Sequence, residues 1–521
     1  MNWAERLDEL VMSPAQREEF LGRMRVQVSP DDYRRIETLC QVAATLGRDN
    51  LSKLRHLLFG RKTETTQRVC PGAGTSPASG PKPPPKGHGR GGAGQYTGAL
   101  WIAVSHPSLQ AGQCCPSCQK GSLRKQRRRG VVLRISGCPP ISATGWTLEK
   151  LRCDACGEVF TAPVPPEAGT SKYDESVAVM VAVLRYGCGM PHYRLARLQR
   201  SLGVPLPEST QWELLEPLSQ QVLPVFEHLM RQAAQSPLFH NDDTSMRILD
   251  LRRPGSATAA QIDPERKGTF TTGIVANVEG HTVALFMTGW RHAGENLAQV
   301  LQHRAAQLPP PIQMCDALSR NTCGQFDSIL ANCLGHGRRG FVGLATSFPE
   351  PVRFVLEQIR EVYRVDAQAK ELELTAQQRL LHHQTHSKQV MDDLHQWMKD
   401  QLEQRNVEPN SGLGQASNYM LNHWEPLTLF LRQAGAPLDN NICERALKMA
   451  ILHRKNSLSY KTLNGALTGD RFMSLIHTCQ LNGVNPYGYL LAIAKHPDQV
   501  AADPAAWMPW NYPKVQALDS S

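Results

Sequence analysis

Three acidic residues constrain the fold of this chain most, because each falls at the boundary of a predicted strand or helix. Asp242 ends an apolar run that starts at residue 237, and Asp316 ends a second run over residues 311–315. Glu444 falls in the first turn of a predicted helix that follows the polar segment 439–441. Ligands of open α/β sheets bind at the carboxyl ends of the strands, so we expect Asp242 and Asp316 to lie at one edge of a sheet.

Two strand-end carboxylates and one helical carboxylate can together hold a pair of divalent cations. Such a pair catalyses phosphoryl transfer on nucleic acid. Mg²⁺, or Mn²⁺ in its place, prefers hard oxygen ligands of this kind. The sequence therefore predicts Asp242, Asp316 and Glu444 as catalytic residues and as ligands of Mg²⁺.

Each acid also has an ordinary explanation. Asp242 can form a turn with Asp243, and Asp316 can cap the helix after its strand. With Asn441 as the N-cap, Glu444 takes the third position of a capping box. The strand, strand, helix order in which the three acids occur favours the catalytic interpretation over three separate structural roles.

The pattern around the acids predicts an α/β core. Alternating β-branched runs over 270–277 and 281–287, with a turn around Glu279 and Gly280, predict a hairpin. A helix over 293–304, strands over 311–315 and 331–334, and a charged helical region over 350–404 follow it. This order is typical of a ribonuclease-H-like core that a helical insertion splits before its last catalytic helix.

At 521 residues the chain is long enough for several domains, so we predict a multidomain α+β/α protein. The predicted units are an N-terminal helical or coiled-coil segment (1–64), a Pro/Gly-rich linker (65–112), a zinc-binding ribbon (113–162), a helical DNA-binding unit like a helix-turn-helix (163–235), the first part of the ribonuclease-H-like core (236–346), the helical insertion (347–424), the last helix of the core (425–480) and a C-terminal tail (481–521).

Two Cys-x-x-Cys pairs predict structural zinc. Cys115 and Cys118 form the first pair, and Cys153 and Cys156 form the second. Two such knuckles complete a tetrahedral site. Their spacer is longer than the usual span of about 15–20 residues, which implies a ribbon with an enlarged loop. Free thiols or redox chemistry are the alternatives.

Two helical regions precede the core. The first spans 29–58, with Ser29 as a candidate cap and a heptad seam that predicts a short coiled coil or a helix packed on its own protein. The second contains apolar residues at Leu195, Leu198 and Leu202, a turn, and a helix that starts near Ser209. It resembles a helix-turn-helix, and a plain pair of packed helices is the alternative.

The charge balance favours an anionic partner. The chain has 57 Lys+Arg against 47 Asp+Glu, a net charge of +10, so double-stranded DNA is the expected partner. Solvated basic loops are the alternative for the candidate DNA-contacting residues, which are Arg127, Arg128, Arg129, His336, Arg338, Arg339, Arg445, Lys448, Arg454 and Lys455. The acidic N-terminal segment does not resemble a signal peptide, and the longest apolar run (177–184) is too short to span a bilayer. We therefore expect a cytoplasmic protein with no membrane partner.

An ordered set of motifs resembles the insertion-sequence-66 family of bacterial DDE transposases. The first is Leu57-Leu-Phe-Gly-Arg-Lys-Thr-Glu64, and the zinc knuckles follow. The others, in chain order, are His240-Asn-Asp-Asp-Thr244, Gln313-Met-Cys-Asp316, Cys333-Leu-Gly-His-Gly-Arg-Arg-Gly-Phe341, Leu438-Asp-Asn-Asn-Ile-Cys-Glu-Arg445, Arg454-Lys-Asn456 and Leu481-Asn-Gly-Val-Asn-Pro-Tyr-Gly-Tyr-Leu490. The resemblance places the family's catalytic acids at Asp242, Asp316 and Glu444. Asp243 is not an expected ligand.

The resemblance implies a metal-dependent reaction that cleaves the ends of a mobile element and joins them to target DNA. It also implies a homo-oligomer on DNA, and accessory proteins of the same element as possible partners. A zinc-dependent, sequence-specific DNA-binding protein with a vestigial nuclease core is the rival from another class. A ribonuclease-H-like nuclease that cleaves without joining is a third interpretation.

Overall fold

The computed structural model describes residues 14–29, 32–34, 36–37, 69, 107–114, 116–117, 119–124, 138–152, 159–252 and 268–512. The described strands are β1 (Lys150–Arg152), β2 (Val159–Thr161), β3 (Leu238–Ser245), β4 (Phe270–Val278), β5 (His281–Gly289), β6 (Ile312–Cys315) and β7 (Ile329–Asn332). The α-helices are α1 (Pro14–Gln27), α2 (Glu175–Ala182), α3 (His192–Ser201), α4 (Glu208–Gln221), α5 (Leu223–Ala233), α6 (Ala293–Leu301), α7 (Leu334–Val342), α8 (Pro349–Glu371), α9 (Ala376–His386), α10 (Lys388–Glu403), α11 (Gly412–Asn422), α12 (Trp424–Leu427), α13 (Asn441–Ser457), α14 (Leu463–Leu481), α15 (Pro486–Lys495) and α16 (Pro497–Ala502).

A mixed five-stranded sheet with the order β5-β4-β3-β6-β7 forms the centre of the fold. β3, β4 and β5 are antiparallel neighbours, whereas β6 pairs parallel to β3 and β7 pairs parallel to β6. The predicted hairpin is confirmed. Glu279 and Gly280 both have positive φ, 52° and 86°, as a type I′ turn requires between two twisted strands.

The outer edge of β5 is covered by side chains of α14. Three polar residues of α14 and its C-cap, Asn482, are spaced four apart and accept hydrogen bonds from the N–H groups of alternate residues on β5. These groups would otherwise be open to pairing with another strand. The pairs, with the strand N–H first, are Thr282 with Asn482 Oδ1 (3.2 Å), Ala284 with Thr478 Oγ1 (3.1 Å), Phe286 with Ser474 Oγ (2.8 Å) and Thr288 with Asp470 Oδ2 (2.6 Å).

Two hydrophobic cores flank the sheet. The larger joins Phe239 and Phe286 of the sheet to Leu215 of α4 and Tyr489 of α15. The helices before β3 and after α14 are thus packed with the sheet, and the predicted boundaries at 235/236 and 480/481 fall within this core. The second core joins β6 and β7 to the insertion, where three helices, α8 to α10, account for the predicted helical region.

The predicted strand over 331–334 is shifted in the structure. β7 spans Ile329–Asn332, and α7 begins at Leu334. Leu334 leaves the sheet because its N–H donates to the carbonyl of Leu438, at 2.9 Å, in the segment before α13. The end of β7 is therefore tied to the segment that leads into the helix of Glu444.

The predicted helix-turn-helix corresponds to the helix pair α3 and α4. Leu195 is buried, but Leu198 and Leu202 are 36% and 44% exposed. α4 buries Leu215 and Leu218 in the larger core. Its exposed residues include Glu208 and Glu213, whose charge opposes contact with phosphate.

Several predictions fall on residues outside the described ones. These are the zinc ligands Cys115, Cys118, Cys153 and Cys156, the basic residues Arg127, Arg128 and Arg129, the motif at 57–64, most of the coiled-coil segment and most of the linker. β1 and β2 pair antiparallel, Arg152 with Val159, on the two sides of the second knuckle. The cap at Ser29 is confirmed, because its Oγ accepts the N–H of Asp32 at 3.2 Å.

Candidate active site

Alternation along β3 separates its side chains into two sets, as expected for a strand. On one face, His240 contacts Asn440 through Nδ1 and Oδ1 at 3.1 Å, and Thr244 Oγ1 accepts a hydrogen bond from Arg454 at 2.9 Å. Both partners flank or belong to α13. Asp242 lies between these two residues and shares their face, so it is directed toward the helix that carries Glu444.

The neighbouring acid, Asp243, belongs to the opposite face and is neutralised there. Its side chain is 2% exposed, and it pairs with His292 at 2.9 Å and with Arg320 at 3.5 Å. Both of its oxygens are thus occupied by cationic or hydrogen-bonding partners. This arrangement fits a structural role for Asp243 beside Asp242.

Asp316 is brought to Asp242 by Asn321. Asp316 follows the last residue of β6, and Asn321 ends a short 3₁₀ helix, Ser319–Asn321. Asn321 Nδ2 lies 2.6 Å from Asp316 Oδ1 and 3.4 Å from Asp242 Oδ1. Both carboxylates therefore lie within hydrogen-bond range of one nitrogen. Nothing in the sequence pattern singled out Asn321, because a lone polar residue in an irregular loop has no periodicity.

Glu444 is positioned by Asn440, and the capping-box alternative for it is wrong. The N-cap of α13 is Asn440 and not Asn441, so Glu444 is the fourth helical residue. Asn440 is fully buried, and its Nδ2 donates to the backbone oxygen of Asn241 on β3 at 3.0 Å. The start of α13 is thus fixed directly against the strand of Asp242.

Gly273 permits this close approach. It is the residue of β4 that pairs with Asp242. A Cβ at this position would lie 3.0 Å from Cγ of Leu447, a buried residue of α13. Because glycine has no side chain, α13 packs flat on the sheet beside the aspartate, and Cys443 Sγ donates to the carbonyl of Gly273 at 3.2 Å.

The site concentrates negative charge. Burial, together with the charges of Asp316, Asp243 and Glu444, raises the pKa of Asp242 to about 7. The N–H of Asp243, which donates to Asp242 at 2.8 Å, acts in the opposite direction. Burial also lowers the pKa of nearby His240 to about 4, so this imidazole is neutral at pH 7 and supplies no compensating charge.

Glu444 is paired with two basic side chains of α7. Its carboxylate lies 3.2 Å from Arg339 and 3.7 Å from His336. Cys333, His336 and Glu444 also form a group whose possible ligand atoms all lie within 4.8 Å of one another. Such a group can hold a metal ion. His336 and Arg339, predicted to contact DNA, thus lie beside the third acid of the site.

The remaining residues predicted to contact DNA differ in their exposure to solvent. Arg445, Lys448 and Lys455 are exposed along α13. Arg454 is held against β3, where its Nη1 donates to Oγ of Ser245 at 2.8 Å. Arg338 is partly exposed on α7. The helix that carries Glu444 therefore also carries exposed basic side chains.

The fold and this group of acids define a class of α/β proteins with an acidic site at the inner strands β3 and β6. A family model described as Transposase IS66 family matches residues 170–468, which contain all three acids. The chain belongs to the IS66 transposase family, and the resemblance noted in the sequence is confirmed.

Curated relatives come from Sinorhizobium fredii (strain NBRC 101917 / NGR234). The uncharacterized protein y4jD is 24% identical over 506 residues, which cover 90% of this chain and 93% of that protein. The uncharacterized protein y4hP is also 24% identical, over 71% of this chain and 68% of its own length. Among the described residues, no helix combines the length and apolar character needed to cross a bilayer.

Proposed function

We propose that the chain is a DDE transposase that cleaves the ends of a bacterial insertion sequence and joins them to target DNA. The observation that carries this proposal is the convergence of Asp242, Asp316 and Glu444, from three separate elements, on one charged site. Membership of the IS66 transposase family supports it. The strand order β5-β4-β3-β6-β7, with two parallel strands after an antiparallel meander, supports a ribonuclease-H-like core.

The acidic site fits divalent cations. Its donors are carboxylate oxygens, the ligands that Mg²⁺ and Mn²⁺ prefer. Burial and the repulsion between carboxylates both raise the pKa of Asp242, and a bound cation relieves such repulsion. Asp242, Asp316 and Glu444 would hold the ions, which when bound activate the attacking oxygen and stabilise the leaving oxygen of a phosphodiester.

Residues around the acids have supporting roles in this proposal. Asn440 fixes the start of α13 against β3, so that Glu444 is held near the aspartates. The exposed Arg445, Lys448 and Lys455 are suited to bind the phosphate backbone of DNA, because contacts of this type position the duplex without reading its sequence. Arg127, Arg128, Arg129 and Arg338 remain proposed contacts with DNA.

A structural zinc ion at the two knuckles, a homo-oligomer on DNA and accessory proteins of the element remain part of the proposal. The pairing of β1 with β2 around the second knuckle supports the zinc ribbon, because a zinc knuckle joins two paired strands in such folds.

Labelled duplexes from the ends of the element that encodes this chain provide the test. With Mg²⁺ the protein should cleave the ends and join them to a target duplex, and neither product should form when the cation is removed by a chelator. Asp242→Asn, Asp316→Asn and Glu444→Gln should each abolish joining while end binding is retained. Asp327→Asn is the matched control, since Asp327 is an exposed acid after the same strand as Asp316.

The other outcomes have distinct meanings. Binding to the ends without any Mg²⁺-dependent cleavage would support the DNA-binding protein with a vestigial core. Nicking without joining would support a nuclease. Joining that survives one of the three substitutions would remove that residue from the proposed site.

A further inference from the structure

The amide of Asn321 faces both aspartates of the candidate site. Its Nδ2 is within hydrogen-bond distance of one oxygen of Asp316 and one oxygen of Asp242. The residue is fully buried. Its Oδ1 is buried as well and accepts no hydrogen bond from any residue that the structure describes. A buried polar atom without a partner costs about 1–3 kcal/mol, so this orientation of the amide requires an explanation.

The backbone that carries Asn321 is fixed. Its carbonyl oxygen accepts hydrogen bonds from Asn241 Nδ2 at 2.8 Å and from Gln313 Nε2 at 2.7 Å. The preceding residue, Arg320, pairs with Asp243. These contacts come from β3 and β6, the two strands that lead to the aspartates. The position of Asn321 relative to the aspartates is therefore set by the sheet, and only its side chain is free to turn.

Rotation about the last side-chain torsion exchanges Oδ1 and Nδ2 without moving the backbone, and this torsion has a broad two-fold preference. One amide atom stays unpaired in either orientation. The preferred orientation of the Asn321 amide is therefore decided by what lies between Asp242 and Asp316. Carboxylate oxygens alone favour the donor Nδ2, whereas a cation favours the oxygen, because amide oxygens are hard ligands like carboxylates.

We propose that Asn321 is a further ligand of the divalent cation at Asp242 and Asp316, and that its amide turns Oδ1 toward the cation on binding. The inference rests on the proposed function, because it assumes a cation between these aspartates. Without the cation, Nδ2 holds the two carboxylates together. With it, the same side chain completes the ligand shell.

Binding of Mn²⁺ alone, measured by electron paramagnetic resonance on the full-length protein with its thiol sites filled with Zn²⁺, tests this role without reference to catalysis. Asn321→Leu removes the oxygen and should weaken Mn²⁺ binding about 10- to 100-fold. Asn321→Asp restores an oxygen ligand and should bind Mn²⁺ at least as tightly as the wild type. Asn296→Leu is the matched control, because Asn296 is a buried amide that donates to Thr272 Oγ1 on the other side of the sheet, and it should leave the affinity unchanged.

Wild-type affinity in Asn321→Leu, or an Asn321→Asp variant no tighter than Asn321→Leu, would overturn the ligand role. If Asn321→Leu does not fold, as judged by thermal unfolding, the Asn321→Asp variant is the test. Weaker Mn²⁺ binding by Asn321→Asp than by the wild type would then overturn the ligand role. Asp242→Asn separates the two proposals. Mn²⁺ binding that Asp242→Asn leaves intact refutes the proposed metal site itself, whereas a loss in Asp242→Asn with no effect at Asn321 refutes only the role of Asn321.

Discussion

Asp242 and Asp470 both carry a raised pKa, for different reasons. Burial is the main cause in each case, and it raises the pKa of Asp242 to about 7 and that of Asp470 to about 8. Hydrogen bonds from backbone N–H groups lower both values, but the neighbouring charges act with opposite signs. Neighbouring carboxylates raise the pKa of Asp242, whereas hydrogen bonds from Thr288 and the charge of Arg471 lower that of Asp470.

The difference separates a candidate catalytic site from a structural one. Asp470 uses its oxygens to accept from the N–H and the hydroxyl of Thr288, both at 2.6 Å, at the edge of the sheet. Asp242 shares one of its two donors, Asn321, with another acid. A perturbed pKa is therefore a weak sign of function by itself, and the sign of the neighbouring charges distinguishes the two residues.

The sharpest test of this comparison is the same substitution at both positions. Asp242→Asn should reduce joining to background, because it removes a charged oxygen ligand. Asp470→Asn should retain joining, because the amide oxygen still accepts from the N–H of Thr288. Parallel strand-joining assays at equal protein concentration measure both. Equal loss in the two variants would mean that Asp470 supports the site through the sheet and that the comparison fails.

A second test moves α13 while leaving all acids in place. Gly273→Val should push against Leu447 and displace Glu444 from Asp242, and a misplacement of about 1 Å can cost about 100-fold in rate. Gly289→Ala is the control, since nothing lies within 4 Å of a Cβ at that position. Joining rates measure the effect, and circular dichroism verifies that both variants fold. Wild-type activity in Gly273→Val would contradict the close approach of α13 to β4 at this position.

A third test concerns stability at the sheet edge. Asp470→Ala leaves the N–H of Thr288 without its partner, so the free energy of unfolding should fall by about 1–3 kcal/mol. Denaturant titration measures this change. An unchanged midpoint would show that the N–H of Thr288 finds another partner and that Asp470 is not needed at the edge.

A fourth test uses pH. The pKa values of both residues lie above the usual value for aspartate, about 3.9, so the folded state keeps protons that the unfolded state loses. Stability should therefore fall as pH rises from about 4 to about 8, by about 1.4 kcal/mol per pH unit for each proton retained. Asp242→Asn should flatten the slope up to pH about 7, and Asp470→Asn up to about 8. A slope unchanged by both would show that neither carboxylate retains a proton.

The sequence predicts well those features that repeat along the chain or end an apolar run. The alternation of β4 and β5, and the turn at Glu279, identified the hairpin. Asp316 stood out because it interrupts an apolar run, and it does follow the end of β6. The expected strand end at Asp242 was wrong, because β3 continues to Ser245 and Asp242 pairs with Gly273 within it. The helical insertion was visible from its long charged pattern, and the structure divides it into α8, α9 and α10.

Residues that act through long-range contacts were not predictable in the same way. Asn440 is fully buried against Asn241, which lies 199 residues earlier in the chain, so no local pattern indicates this contact. The role of Gly273 likewise depends on a distant residue, Leu447, which packs against it. The polar spacing of four on α14 was present in the sequence, but its meaning required knowledge of which strand it faces.

The cover of β5 by α14 also sets an order of events during synthesis. Strand residues 282–288 leave the ribosome long before their helix partners at 470–482, with sequence separations of 182 to 200. At about 5–20 residues per second, the strand edge stays uncovered for about 10–40 s. A chain that stops within the insertion has both aspartates but neither Glu444 nor the covering helix. Such fragments would carry an open edge prone to association and no complete acidic site, so under the proposed function only chains that extend through Glu444 and α14 could cleave DNA.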